Sequence, residues 1–157
     1  MHKTKVFVTL QHNSIINTKH LVSNFTNKSE IYLAVAESAG DKYLYPAVAH
    51  CAYYSCVHLM QHIWYYKMGK TGTELDQECT NSRSGLHNIL INKIGQYIRN
   101  NTANRNANKD FHDFNNKIIQ LKRLRVDADY KDEGFDMTKS NNSIALAKDL
   151  IPILKRA

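Results

Sequence analysis

The stretch GDKYLYPAVAHCAYYSCVHLMQHIWYYKM, residues 40–68, constrains this chain more than any other, because it reads as one long, largely buried helix dense in tyrosine and histidine. Apolar or aromatic side chains recur at 45, 48, 52, 56, 59 and 63, and again at 49, 53, 57, 60 and 64, so two adjacent stripes cover most of the cylinder. A helix that apolar needs neighbours on several sides. Pro46 stands near its start, where a missing amide hydrogen costs nothing, and Gly69 is placed to take the left-handed turn beyond its end.

The rest of the sequence supplies those neighbours. From Ser23, the string SNFTNKSEIYLAVAESA carries apolar residues at 25, 32, 33, 35, 36 and 39 and predicts a first helix ending near Gly40. The short connection that follows favours an antiparallel hairpin with the long helix. Residues 69–82 read as a loop with one short turn, Thr71 and Glu74 having capping-box spacing. A third helix is predicted over 84–98, with Leu86, Leu90, Ile94 and Tyr97 on one stripe. The Asn-rich connector NNTANRNAN, 100–108, leads to a fourth helix over roughly 109–127. A last helix spans about Thr138 to Leu154, with Ile144, Ala147, Ile151 and Leu154 inward and Pro152 expected to kink or end it. These elements predict an all-α, up-and-down bundle of four to five helices over 23–157, preceded by an irregular arm at 1–22 that shows no sustained period.

Composition narrows the class. A chain of 157 residues suits one domain that folds without staples. The Val6-Phe7-Val8 run is too short for a signal-peptide core, and no apolar stretch reaches the roughly 18 residues of a membrane span, so a cytoplasmic protein without membrane contact is expected. Cys51, Cys56 and Cys79 are odd in number, and two lie inside the apolar helix pattern, which favours reduced core thiols over a disulfide framework.

A net charge of +7 and an isoelectric point near 9.3 raise the local concentration of phosphate polymers. Between 99 and 125, Arg99, Arg105, Lys109, Lys117, Lys122, Arg123 and Arg125 are opposed only by Asp110 and Asp113, after which Asp127, Asp129, Asp132, Glu133 and Asp136 reverse the sign. This pattern fits a solvated helix face with an acidic loop behind it, or a nucleic-acid groove built around Lys117, Lys122, Arg123 and Arg125.

Arg125 is the most informative single position. Phe111, Phe114, Ile118 and Leu121 step by three, four and three residues, and the next step of four lands on the arginine, so an always-charged guanidinium continues an apolar stripe. Burying it unpaired costs several kcal/mol. It must be paired, stand at the rim, or face a ligand or a second subunit. Asp129, four residues on, offers a partner within the same helix.

Other motifs fail on spacing. Gly69-Lys70-Thr71 mimics the end of a phosphate loop, but the first glycine of that pattern falls on Trp64 and a helix precedes it. His58 and His62 share a helix face, yet nothing completes a tetrahedral set, so no metal and no other cofactor is expected. There is no Gly-x-Ser-x-Gly elbow, and spacing leaves open whether Cys79 approaches a histidine.

Taken in order, a first helix, a Gly-containing turn, a Leu-Tyr pair before an Ala-rich second helix with Ala52-Tyr53-Tyr54 and His58, then Ser84-Gly85-Leu86 and Arg125-x-x-Ala128-Asp129-Tyr130, resemble the HEPN superfamily, in particular its small stand-alone bacterial and archaeal members. The resemblance covers about residues 23–155. It implies a helical bundle, with Tyr53, Tyr54 and His58 in its structural core, that pairs as a homodimer through the face carrying the arginine. Many such proteins are metal-independent ribonucleases, often toxins partnered by a small nucleotidyltransferase antitoxin. In them an arginine stabilises the charged phosphorane, and a histidine four to six residues later moves a proton during attack by the ribose 2′-hydroxyl.

This chain keeps the arginine and departs at the histidine: Val126, Asp127, Ala128, Asp129 and Tyr130 follow Arg125. The reading that follows is a non-catalytic RNA- or nucleotide-binding or interaction module of a toxin-antitoxin or defence system. Two alternatives stand beside it. One is a ribonuclease toxin using Arg125 with Asp129 or Tyr130 in place of the usual histidine, and the other is a helical protein serving only dimerisation or a partner.

Overall fold

The computed structural model describes residues 23–157, and the arm read from residues 1–22 lies outside the described residues. The chain is an all-α bundle. Six helices occur among the described residues: α1 (Asn24–Asp41), α2 (Tyr45–His62), α3 (Gly72–Ser82), α4 (Leu86–Arg99), α5 (Ala107–Tyr130) and α6 (Met137–Arg156).

Local chemistry sets most of the boundaries. Ser23 caps α1 by accepting the Phe25 amide at 3.1 Å. The helix ends at Asp41 through a turn in which the Leu44 amide reaches back to the Ala39 carbonyl at 2.9 Å. Tyr43, at φ 61°, takes the left-handed position of that turn. Residues 40–44 therefore close α1 instead of opening one helix from 40 to 68. Pro46 falls in the first turn of α2, as its missing donor allows. Phe25 stacks on Tyr65, while Gly40 sits beside Val48, so the start of α1 meets the end of α2 and the two are antiparallel.

α2 is the centre of the bundle and packs on α1, α4, α5 and α6. Beyond His62 it loosens into a single π turn, Ile63–Lys67, in which the Met68 amide bonds the Ile63 carbonyl at 2.8 Å. Both Ile63 and Trp64 are thereby buried, and Gly69, at φ 65°, ends the turn. The buried Trp64 indole donates to the Thr71 carbonyl at 3.0 Å, which seats the start of α3.

α3 replaces the loop expected over 69–82. Its capping box is complete: the Glu74 amide bonds the Thr71 hydroxyl at 3.2 Å and the Glu74 carboxylate accepts the Thr71 amide at 2.8 Å. The helix buries Leu75 alone, which is why no apolar period announced it. α5 runs three residues past the expected end, so Asp129 and Tyr130 are helical. In the connector before it, Asn104 bonds the buried Asp110 at 2.8 Å, and Arg156 clamps the same carboxylate at 2.6 and 2.7 Å. That clamp ties α5 to the end of α6. Pro152 does not end α6, which continues to Arg156. The inner face of α6 is Leu146, Ala147, Leu150, Ile153 and Leu154, turned slightly from the expected stripe, with Ile144 and Ile151 at its edge.

α5 has one apolar stripe inward and another residue pattern outward. Phe114→Ala is expected to lower unfolding free energy by about 3–5 kcal/mol, whereas Ile119→Ala, on the exposed side of the same helix, changes it by less than about 0.5 kcal/mol. Urea denaturation of the two variants checks the assignment of faces.

Candidate functional site

The inward stripe of α5 passes from Phe114, Ile118 and Leu121, all fully buried, to Arg125, whose side chain is only 12% exposed. The guanidinium is met from two directions. Asp129, one turn on, brings Oδ2 within 2.7 Å of Arg125 Nε, close enough for an ion pair although the Nε–H is not aligned on that oxygen. From α2, the Tyr54 hydroxyl accepts a hydrogen bond from a terminal guanidinium nitrogen at 3.2 Å. The charge centre also lies 5.5 Å from the Tyr54 ring, 6.0 Å from that of Tyr53 and 5.1 Å from that of Tyr130. Burial alone would press the guanidinium toward neutrality, but Tyr54 and Asp129 outweigh it and hold it cationic.

Asp129 does more than pair with its own helix. His50 of α2 places Nδ1 3.2 Å from Oδ1 and 3.1 Å from Oδ2 of the same carboxylate. A carboxylate can only accept, so Nδ1 carries the proton and donates it. The His50 ring also lies against the Tyr54 ring, centroids 4.7 Å apart. Arg125, Asp129, His50 and Tyr54 are thus one cluster across the α2–α5 contact.

His87, near the start of α4, closes the other side, 5.4 Å from the Tyr53 ring and 5.6 Å from that of Tyr54. Burial, and then the positive charges of Arg125 and Lys122, hold its imidazole below its ordinary value near 6.5 and so neutral. Tyr53 is fully buried and its hydroxyl has no partner among the described residues, so burial pushes its proton affinity well up. Cys56, fully buried on the same helix, has its thiol pushed up to about 12 by burial and remains protonated.

The residues singled out in the sequence are distributed as follows. Arg125 and Asp129 come together as proposed. Tyr130 stands at the outer rim, 71% exposed, with its ring beside the guanidinium. Tyr53 is core, Tyr54 belongs to the cluster, and His58 is partly buried under Tyr32 with Nδ1 bonded to Gln61 at 3.1 Å. Lys122 and Arg123 line an open cleft of about 560 Å³ between α4 and α5, with Lys131, Asn88 and Asn92, over a floor of Ile91, Ile119 and Val126. Lys122 also borders a second hollow with His87, on the Arg125 side. Lys117 does not join them, being paired with Asp149 of α6. Lys70 is likewise paired, with Glu74 at 2.7 Å. No group of three or more metal-ligating side chains converges among the described residues, and Cys51, Cys56 and Cys79 are free thiols.

His50 was missed in the sequence. His50 lies on the expected long helix with no distinguishing neighbour, and its partner is 79 positions away. The chain matches no protein-family description, no curated protein and no solved structure.

The neutral histidines give the fold a pH dependence with a definite sign. His58, His62 and His87 all titrate lower folded than unfolded, chiefly because burial disfavours the imidazolium. Their contribution is fully present above the unfolded value near 6.5 and is lost as pH falls through the folded values. The melting temperature is expected to fall between pH 7 and pH 5, and His87→Gln to shallow that fall. A pH-independent melting temperature over this range would show that these imidazoles are not desolvated.

Proposed function

We propose that this protein is an HEPN-like helical module that binds single-stranded RNA by its phosphodiester backbone, along the α4–α5 cleft and up to Arg125. The observation that carries the reading is the run of cations around one side of α5. Arg123 and Lys122 line the cleft, Lys122 also borders the hollow of His87, and His87 packs on the tyrosines that hold Arg125. The apolar floor of Ile91, Ile119 and Val126 suits a base, and the amides of Asn88 and Asn92 suit its edges. The order of motifs that resembles the HEPN superfamily supports RNA as the polymer, a homodimer as the assembly and a nucleotidyltransferase-type antitoxin as a candidate partner.

A second reading is favoured by one observation. Ile119 is 43% and Tyr130 71% exposed on the same outward side of α5, which suits a contact with another subunit. Mass measurement in solution decides the assembly, and because Ile119 also lines the cleft, a subunit seated on it would compete with RNA there.

Binding is tested by fluorescence anisotropy with a single-stranded oligoribonucleotide over a range of salt. Affinity should fall with salt on a log–log slope of about −2 to −3, as expected for three or four neutralised phosphates. The double reversal Lys122→Glu, Arg123→Glu should weaken binding by about tenfold or more at low salt. Affinity indifferent to both salt and reversal would remove the cleft from the account.

A further inference from the structure

We propose that a hollow at the turn between α1 and α2 receives the arginine side chain of a partner polypeptide. The end of α1, the start of α2 and the first turns of α6 enclose an open space of about 470 Å³ there, which shares no lining residue with the cleft of Lys122 and Arg123. Tyr43, Tyr45 and Ile144 supply its apolar lining, and its charged residues are Glu37, Asp41 and Lys148. Glu37 holds Lys148 in an ion pair at 2.7 Å. Asp41 ends α1 with no basic residue in that last turn, and no ion pair reaches it among the described residues. On a chain of net charge +7, this hollow therefore carries the opposite sign, two carboxylates against one ammonium.

Two of these residues are poor choices for folding alone. Tyr43 stands at φ 61°, a region that glycine enters freely and a Cβ opposes. Its ring is 75% exposed, so burial does not offset that strain. The ring instead stands at right angles to that of Tyr45, centroids 6.2 Å apart, and the two form a corner of aromatic surface. Asp41 lies at the C-terminus of α1, where the negative end of the helix dipole disfavours a carboxylate. Residues that break a local rule with no return in packing mark a surface built for something other than the fold.

The group that suits tyrosine rings beside a carboxylate is a guanidinium, which is planar, stacks on aromatic faces and offers paired N–H donors to a carboxylate. The chain holds one in this way already: Arg125 lies among the rings of Tyr53, Tyr54 and Tyr130 and against Asp129. Tyr43, Tyr45 and Asp41 repeat that set at the surface, and no arginine of the chain lines the hollow. An ammonium is more strongly hydrated than a guanidinium and loses more on meeting the rings. Leu44, between the two tyrosines in the chain, and Met137, which lines the hollow, are each 55% exposed. They extend the apolar surface beyond what a small cation covers, so the flanking residues of a polypeptide complete the contact.

The test follows the ring signals of Tyr43 and Tyr45 by NMR in the full chain during titration with a capped tripeptide that has arginine at its centre and leucine on either side. Both rings should shift, with half-saturation on the order of 1 mM. The same peptide with lysine should bind about fivefold more weakly, and with norleucine it should leave both signals fixed. Tyr43→Gly and Tyr43→Asn should each weaken binding by about tenfold, and Asp41→Asn by about fivefold, while none of the three lowers the melting temperature. A structural role for these side chains would lower it instead. Lys122→Glu with Arg123→Glu should leave peptide affinity unchanged, which keeps this result separate from that for RNA. No shift of either ring, equal binding of the norleucine peptide, or full affinity in the Tyr43 and Asp41 variants overturns the site. Methylguanidinium binding as tightly as the arginine peptide overturns a polypeptide as its occupant.

Discussion

A guanidinium cannot be dehydrated cheaply, and in this bundle one stands where the inward stripe of α5 calls for an apolar side chain. Everything around it answers that demand. Asp129 pairs with it from the next turn, Tyr54 accepts its hydrogen bond from the central helix, and the rings of Tyr53, Tyr54 and Tyr130 surround its charge. The pairing that keeps Arg125 in the fold also shapes its surface. Asp129, placed to balance Arg125, becomes the anchor for His50. The buried guanidinium and the half-exposed imidazole therefore share the same carboxylate.

The architecture protects this cluster by fixing the helices that meet there. α2 contributes His50, Tyr53 and Tyr54 from successive turns, and its position between α1, α4, α5 and α6 leaves it little freedom. At one end, the π turn and the buried Trp64 lock α2 to the start of α3. At the other end of α5, Asp110 is held by Asn104 and by both arms of the Arg156 clamp. The helix that carries Arg125 is thus pinned at its start as well as along its stripe. A site spanning two rigid helices keeps its geometry better than one built on a loop.

Much of this was legible in the residues. Ser23, Pro46 and Gly69 mark boundaries because each has one backbone geometry that suits it, and the apolar periods of α2, α4 and α5 mark faces. Arg125 was visible as a break in a period, and Asp129 as its neighbour one turn on. The failures have equally local causes. α3 buries Leu75 alone, so it has a cap and no stripe. Tyr43, not a glycine, takes the left-handed turn that separates α1 from α2, and nothing in its chemistry announces that conformation. Pro152 stands so near the end of α6 that one lost hydrogen bond does not stop the last turn. His50 was hidden for a different reason: its meaning depends on a partner 79 residues away, and no pattern along one helix carries that information.

On the proposed reading, the basic cleft along α5 holds a phosphate polymer, and the Arg125 cluster stands beside it on the same helix. The state of a single imidazole, that of His50, reports whether the cluster is built as described. The most direct measurement is a nitrogen-resolved NMR spectrum of the histidine side chains, recorded before and after adding a 2′-O-methyl oligoribonucleotide. The account predicts His50 as the Nδ1–H tautomer, the less common form of free imidazole, with its Nε2 signal moving on addition while that of His112 stays fixed. An Nε2–H tautomer at His50, or an Nε2 signal indifferent to the oligomer, would contradict it.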